Sequence, residues 1–370
     1  MLNRRRHLVF FGAVFAAALG AYPGDTATAA DSVKCGEPAI AFVSTRDNPT
    51  GNPFLTAEIY LMDPDGTNPR RLTENFDGDA GGALSPDGKK IVFESNRLRS
   101  PGEPLNTSDL FLMNVKGEDQ MLLTRGGSAT WSPDSEFIAY HRSKSGTGLP
   151  IRPDPGAPAP DSDIFVARVR ALIDNEADNE ALLVNITNTE GEIEEDADWS
   201  PDGQKIVYTR HPDSDLPPGP GFHYTTKEIW VMNADGAGQT QLTFNSDFPA
   251  DLRGEKRGPA WSPDGTRIAY MCRIGDPPTP TGVVPTFEIC VMNADGSEQT
   301  RLTFNAVPDT SPRWSPDGLK IVFGRAGGGT QQTWAMNATD GTGQMQLTFP
   351  PGFNFGPDWG EIKTNCAEVE

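Results

Sequence analysis

The sequence predicts an all-β fold, a six-bladed β-propeller with four-stranded blades, on three observations. An aromatic-Ser-Pro-Asp-Gly peptide recurs along the chain. A short β-branched and aromatic run follows each copy. The composition is turn-rich, with 39 Gly and 33 Pro in 370 residues, which favours short strands over long helices. Self-similarity at a period of roughly 40–60 residues decides an architecture before any single residue is weighed.

The copies are Leu84-Ser85-Pro86-Asp87-Gly88, Trp131-Ser132-Pro133-Asp134-Ser135, Trp199-Ser200-Pro201-Asp202-Gly203, Trp261-Ser262-Pro263-Asp264-Gly265 and Trp314-Ser315-Pro316-Asp317-Gly318. Pro second, Asp third and Gly fourth is turn chemistry, so the peptide joins a strand a ending in Trp to a strand b. Strand b is Ile40-Ala41-Phe42, Ile91-Val92-Phe93, Ile138-Ala139-Tyr140, Ile206-Val207-Tyr208, Ile268-Ala269-Tyr270 or Ile321-Val322-Phe323. Strand c begins with an acid, as in Glu58-Ile59-Tyr60-Leu61-Met62 and Glu228-Ile229-Trp230-Val231-Met232. Asn-Ala-Asp-Gly (233–236, 293–296) turns it into strand d, which ends in Leu-Thr. The third unit departs here: its c–d connection, 168–180, is Ala- and Glu-rich and is expected to form a short helix. A Ser and an Asp repeated once per unit serve the turn and are not a nucleophile and its carboxylate.

The first unit begins at strand b, and an orphan Asp358-Trp359-Gly360 near the end supplies its strand a. The C-terminus is therefore expected to complete the N-terminal blade and remove the open edges. Cys35 and Cys366 flank that blade, and a Cys35–Cys366 disulfide would lock the ring. The loop-entropy account gives at most about 4–5 kcal/mol for so long a loop. Cys290 takes the aromatic place of strand c, with Cys272 expected opposite it, so a Cys272–Cys290 cross-strand disulfide is predicted. The same register sets Arg46 against Glu58, Arg97 against Asp109 and Lys144 against Asp163 as cross-strand staples.

Residues 1–30 read as a secretory leader. Arg4-Arg5-Arg6 precede an apolar run from Leu8 to Leu19, and Ala27-Thr28-Ala29 is a small-residue cleavage site. Both the general secretory and the twin-arginine route fit. Residues 31–370 then form one propeller, exported to the periplasm or secreted, with no later segment able to insert in a membrane. Four Cys in an exported chain suit disulfides, and no CxxC spacing suggests zinc. The formal charge is −20, from 31 basic and 51 acidic residues. Such a domain repels nucleic acid and anionic lipid.

The succession Trp261-Ser262-Pro263-Asp264-Gly265, Ile268-Ala269-Tyr270, Ile229 through Gly236 and Gln241-Leu242-Thr243 resembles the WD-like propeller repeat of the TolB-type family. It covers about residues 35–366. The resemblance implies a periplasmic six-bladed propeller that binds other proteins and has no catalytic activity. Where TolB has an α/β domain ahead of its propeller, this chain is expected to enter the first blade within a few residues of the leader.

The b–c and d–a loops share one face and vary in length, which is where binding surfaces form on a rigid scaffold. The d–a loops rim the channel and carry Asp77, Asp79, Glu190, Glu192, Glu194, Glu195, Asp196, Asp247, Asp251 and Asp309. Of these, Asp77, Asp79, Glu192, Glu194, Glu195, Asp196 and Asp309 are the expected binding residues. They would meet a basic protein or peptide of the cell envelope, with the propeller a monomer. Five carboxylates within 190–196 could instead hold Ca²⁺ through oxygen ligands, although their spacing is not that of an EF-hand. No other cofactor and no catalytic residue is expected. The chain has no Gly-x-Ser-x-Gly elbow, Walker loop or His-Glu-x-x-His. The alternative is a carbohydrate-active lyase or hydrolase using His141, His211 or His223, or an accessory propeller for an enzyme on another chain.

Overall fold

Each repeat unit folds into one antiparallel four-stranded sheet, and six such sheets are present in the computed structural model. The structure describes residues 36–47, 56–75, 77–98, 108–143, 162–174, 182–212, 227–244, 254–274 and 286–363. The leader, Cys35 and Cys366, Lys144, His223, Asp247 and Asp251 lie outside them.

The first blade contains Glu37–Ser44 (β1), Glu58–Met62 (β2) and Arg70–Arg71 (β3). The second is Asp79–Leu84 (β4), Lys90–Ser95 (β5), Asp109–Asn114 (β6) and Met121–Arg125 (β7). The third is Gly127–Trp131 (β8), Phe137–Arg142 (β9), Asp163–Arg168 (β10) and Leu183–Asn185 (β11), with the helix Val169–Asp174 (α1) between its last two strands. The fourth is Glu192–Trp199 (β12), Lys205–Pro212 (β13), Glu228–Asn233 (β14) and Thr240–Gln241 (β15). The fifth is Lys256–Trp261 (β16), Arg267–Ile274 (β17), Thr286–Asn293 (β18) and Thr300–Arg301 (β19). The sixth is Asp309–Trp314 (β20), Lys320–Gly327 (β21), Thr330–Asn337 (β22) and Met345–Gln346 (β23). Asn354–Ile362 (β24) pairs antiparallel with β1, so the last strand completes the first blade.

The repeat peptide forms its turn as its chemistry requires. Ser85 Oγ donates to Asp87 Oδ1 at 2.6 Å, that carboxylate accepts the Lys89 N–H, and Gly88 N–H closes on Ser85 O. Ser132, Ser200, Ser262 and Ser315 bond Asp134, Asp202, Asp264 and Asp317 at 2.5–2.6 Å in the same way. Strand d ends in Thr because that hydroxyl replaces ladder pairing. Thr73, Thr243 and Thr303 each accept the second strand-c N–H and donate to the strand-c acid, Glu58, Glu228 or Glu288.

Pairing between b and c is aromatic. Phe42 lies opposite Tyr60 with ring centroids 5.5 Å apart, Phe93 opposite Phe111 at 5.8 Å, and Tyr140 opposite Phe165 at 6.1 Å. An Arg caps the pair: Arg46, Arg97 and Arg325 each lie within cation–π range of both rings of their blade.

This register corrects three expectations. Ser44 faces Glu58, in the place expected for Arg46 two residues on. Pairing the large aromatics sets the strands, and the charges follow. Arg97 thus salt-bridges Asp79 on the innermost strand at 3.0 Å, not Asp109. Glu58 takes Arg71 of strand d at 2.9 Å, not Arg46, which bonds Ser44 and Asn354. Arg142, ahead of Lys144, is the basic residue opposite Asp163. The disulfide Cys272–Cys290 is present with its Cα atoms 5.9 Å apart. It runs diagonally, because Cys290 faces Tyr270 and Cys272 faces Glu288.

Helix α1 occupies the irregular c–d connection of the third blade. Its Val169 and Leu172 are buried in a cluster with Leu112 and Leu123 of the second blade. It supplies by side chains the inter-blade contact that c–d turns make elsewhere by backbone.

Candidate functional site

The innermost strand of every blade carries one bulge where it lines the central channel. Bulges fall between Ala80 and Ala83, Gly127 and Thr130, Glu195 and Asp198, Arg257 and Ala260, and Thr310 and Arg313, with a sixth where β24 passes Ala41–Val43. The extra residue is left-handed each time: Gly81, Ser128, Asp196, Gly258, Ser311 and Gly356, with φ from 48 to 60°. Only short polar residues and Gly tolerate that conformation well, and the bulge re-aims its neighbours toward the channel. Side chains of the preceding blade take the freed N–H groups. Glu94 Oε1 accepts from Ser128 at 2.8 Å and Thr209 Oγ1 from Gly258 at 3.2 Å. His141 holds the corresponding place at the junction of the third and fourth blades, facing Gly127.

Charges collect where these bulges are polar. A Cβ on Gly127 would stand 3.0 Å from His141 Nε2 and 3.2 Å from Glu94 Oε2, so that glycine leaves the imidazole and the carboxylate room to approach. Lys227, just ahead of β14, donates to Glu195 Oε1. Burial works against the Glu195 charge, but Lys227, His141 and His211 outweigh it and hold its carboxyl down to about 2. Asp196 is pushed the other way, first by burial and then by Glu195. His211 is buried and its Nδ1 donates to Pro212 O at 3.1 Å.

A second set of charges crosses the channel nearer the turns. The residue before the strand-a Trp is Asp358, Ala83, Thr130, Asp198, Ala260 or Arg313 around the ring. Asp358 accepts the Leu84 N–H at 2.8 Å and Asp198 the Trp261 N–H at 2.7 Å, each from the next blade. Thr130 Oγ1 donates to Asp198, and Arg313 Nε lies 3.8 Å from Asp358. Burial pushes Asp198 up to about 6 against the pull of Arg313.

The predicted rim residues separate into different environments. Asp77 is exposed. Asp79 and Asp309 are fully buried in matching inter-blade networks. Asn305 links Glu288 to Asp309, and Arg325 grips Asp309 at 2.7 and 2.8 Å. Asn75 and Arg97 repeat that arrangement with Glu58 and Asp79. Glu192 and Glu194 lie 3.4 and 3.6 Å from Arg210, and Glu194 is buried between blades. Only Glu195 and Asp196 stay with the channel-mouth charges. Within 190–196, Glu192 and Glu194 share Arg210 while Glu195 takes Lys227. Among the described residues no three His, Cys, Asp or Glu side chains form a metal-holding group. His141 and His211 come near the same carboxylate, Glu195. Sequence reasoning missed Glu94, Lys227, Asp198, Arg313 and Asp358. The residue before each Trp was the available signal, because it alone varies in charge within an otherwise uniform motif.

Glu194 makes a pH prediction. Burial, with Asp163 beside it, raises Glu194 to about 8 from its ordinary 4.5, against the pull of Arg210. Arg210 also serves Glu192, and Asn185 and Thr189 bond Asp163. The folded state thus holds a proton that the unfolded state has lost between those values. Its contribution falls as pH rises through that window and stays low above it. Glu194→Gln is expected to flatten this slope and to gain about 2 kcal/mol over wild type at alkaline pH. Urea titrations of both proteins from acid to alkaline pH check it; parallel curves would refute it.

A closed six-bladed propeller with a charged channel is the class these features define. Residues 247–365 match the family described as the TolB beta propeller domain. Over those residues the sequence is that of a TolB-type propeller repeat, and the chain as a whole shares the fold of solved TolB structures. TolB from Acinetobacter baumannii superposes with a TM-score of 0.61 at 17% identity, over 87% of this chain and 66% of that one. A putative TolB from Agrobacterium tumefaciens gives 0.55 at 19%, over 87% and 92%. In sequence the chain is 30% identical over 126 residues to uncharacterized protein Atu1656 of Agrobacterium fabrum, 34% of this chain and 33% of that protein. It is 28% identical over 149 residues to the uncharacterized peptidase YuxL of Bacillus subtilis, 40% of this chain and 18% of that protein. The chain thus spans a third or less of the curated relatives it matches. Among the described residues no helix is long and apolar enough to cross a membrane.

Proposed function

We propose that this propeller is an exported, non-catalytic scaffold that binds a protein or peptide of the cell envelope at its channel mouth. The observation that carries the reading is the charged cluster of Glu195 and Asp196 on the inner strand β12, Lys227 beside them, and Glu94 and His141 on the second strands of the two preceding blades. Its charges are satisfied mainly by each other and by backbone N–H groups. That suits recognition by a complementary polar surface more than turnover, which needs groups converging on one reacting atom. The TolB-type match supports both the binding role and the periplasmic compartment. The peptidase names of YuxL and of a probable dipeptidyl-peptidase 5 of Aspergillus clavatus, 25% identical over 154 residues, belong to proteins of which the matched segment is 18% and 20%. They favour, as a second reading, a propeller that accompanies an enzyme carried elsewhere.

Crosslinking in the envelope fraction tests the proposal. Wild type is expected to capture a defined partner, and a Glu195→Gln, Asp196→Asn double variant to lose roughly tenfold in affinity, about 1.4 kcal/mol. Asn tolerates the left-handed bulge, so the variant should keep its fold. Equal capture by both proteins, or no partner at all, would sink the reading.

A further inference from the structure

We infer that the seam between the sixth and first blades is a second binding site, for a short extended peptide that sets a basic residue beside a proline or aliphatic one. This site lies on the face of the a–b and c–d turns, opposite the channel mouth, and does not depend on the reading above. A groove of about 350 Å³ opens there. Trp359 and Pro38 of the first blade and Pro316 and Met345 of the sixth line it. Met345 is 43% exposed although apolar. Trp131 and Trp314, at the same repeat position, are buried and donate their indole N–H to Ala83 O and Ala260 O at 3.1 Å. Trp359, like Trp199, is half-buried and makes no such bond, and it forms part of the groove wall.

Charge selects the occupant. Asp65, Asp317 and Glu361 line the groove with Lys320, and Lys363 stands 3.4 Å from Glu361, so carboxylates outnumber cations by three to two. Hydrogen bonds from Thr67 and Ser315 hold the carboxyls of Asp65 and Asp317 below the usual range, so both stay ionised. A second copy of this chain, at −20, is repelled. The chain's own last residues include Glu368 and Glu370 and carry the wrong sign. A cationic peptide satisfies the carboxylates, while its apolar neighbour covers Trp359 and Met345 as proline and aliphatic residues cover aromatic grooves.

The test is fluorescence anisotropy with a labelled Lys-Pro-Leu-Lys-Pro-Leu peptide and its Glu-Pro-Leu-Glu-Pro-Leu counterpart, on the full chain. Saturable binding of the lysine peptide alone is expected, weakening as salt screens the carboxylates. Met345→Arg and Glu361→Lys, both surface changes, should each weaken it about tenfold with the melting temperature unchanged. Asp196→Asn should leave it intact, which separates this site from the mouth. No saturable binding, equal binding of the glutamate peptide, or indifference to Met345→Arg would overturn the proposal. Loss on Asp196→Asn would also overturn it, by placing the peptide at the mouth.

Discussion

Gly236→Ala is expected to lower stability by roughly 3 kcal/mol, on the order of 4 °C in melting temperature for a domain of this size. Gly236 ends the c–d turn of the fourth blade at φ +86°. A Cβ there would stand 2.1 Å from Ile186 O of the preceding blade. The same contact recurs around the ring. Gly66 meets Leu347 O at 2.3 Å, Gly117 meets Leu72 O at 2.4 Å, Gly296 meets Leu242 O at 2.6 Å and Gly341 meets Leu302 O at 2.2 Å. A backbone oxygen in a sheet cannot step aside as a flexible side chain can, so blades must part. Gly328→Ala is the control. It has φ +60° and nothing within 4 Å, so it should lose only the backbone term of about 1 kcal/mol. Thermal denaturation of both variants decides the matter. Equal losses would show that conformational strain, and not the inter-blade approach, sets the cost.

Asp309→Ala is expected to cost about 3–5 kcal/mol, the range for breaking a buried pair and stranding its partner. Arg325 would lose both hydrogen bonds to that carboxylate, and Asn305 its amide acceptor. Because Asn305 also bonds Glu288, the damage crosses from the sixth blade into the fifth. Asp77→Ala, on an exposed residue, should change stability by less than about 0.5 kcal/mol. Urea denaturation gives the stabilities. Partner capture by Asp309→Ala, measured at temperatures where it stays folded, should match wild type. Selective loss of capture with stability intact would return Asp309 to the binding rim.

That contrast shows how far the residues alone carry the candidate site. Asp77, Asp79 and Asp309 look alike in sequence, each an acid in a d–a loop. Pairing with Arg97 and Arg325 makes two of them inter-blade staples, and no local pattern records which Arg the register delivers. Glu194 and Glu195 are neighbours, yet strand alternation sends one into the blade interface and the other to Lys227. The bulges were invisible for a similar reason: Asp196 and Ser311 hold a left-handed place that Gly81, Gly258 and Gly356 also fill, so the residue type does not mark it. The cysteine pair was legible because Cys290 replaces an aromatic residue in an otherwise uniform strand. Its diagonal geometry was not, because the opposing register depends on where the aromatic rings meet.

The repeat by itself determined the blade count, the strand order within each blade and the closure by Asp358-Trp359-Gly360. Those follow from turn chemistry and side-chain alternation, which are local and act over a few residues. Only the tertiary structure decided which charges pair, which face the channel and where the seam leaves a groove. These depend on packing between blades, where aromatic area and close backbone contact outweigh the smaller energies of single ion pairs.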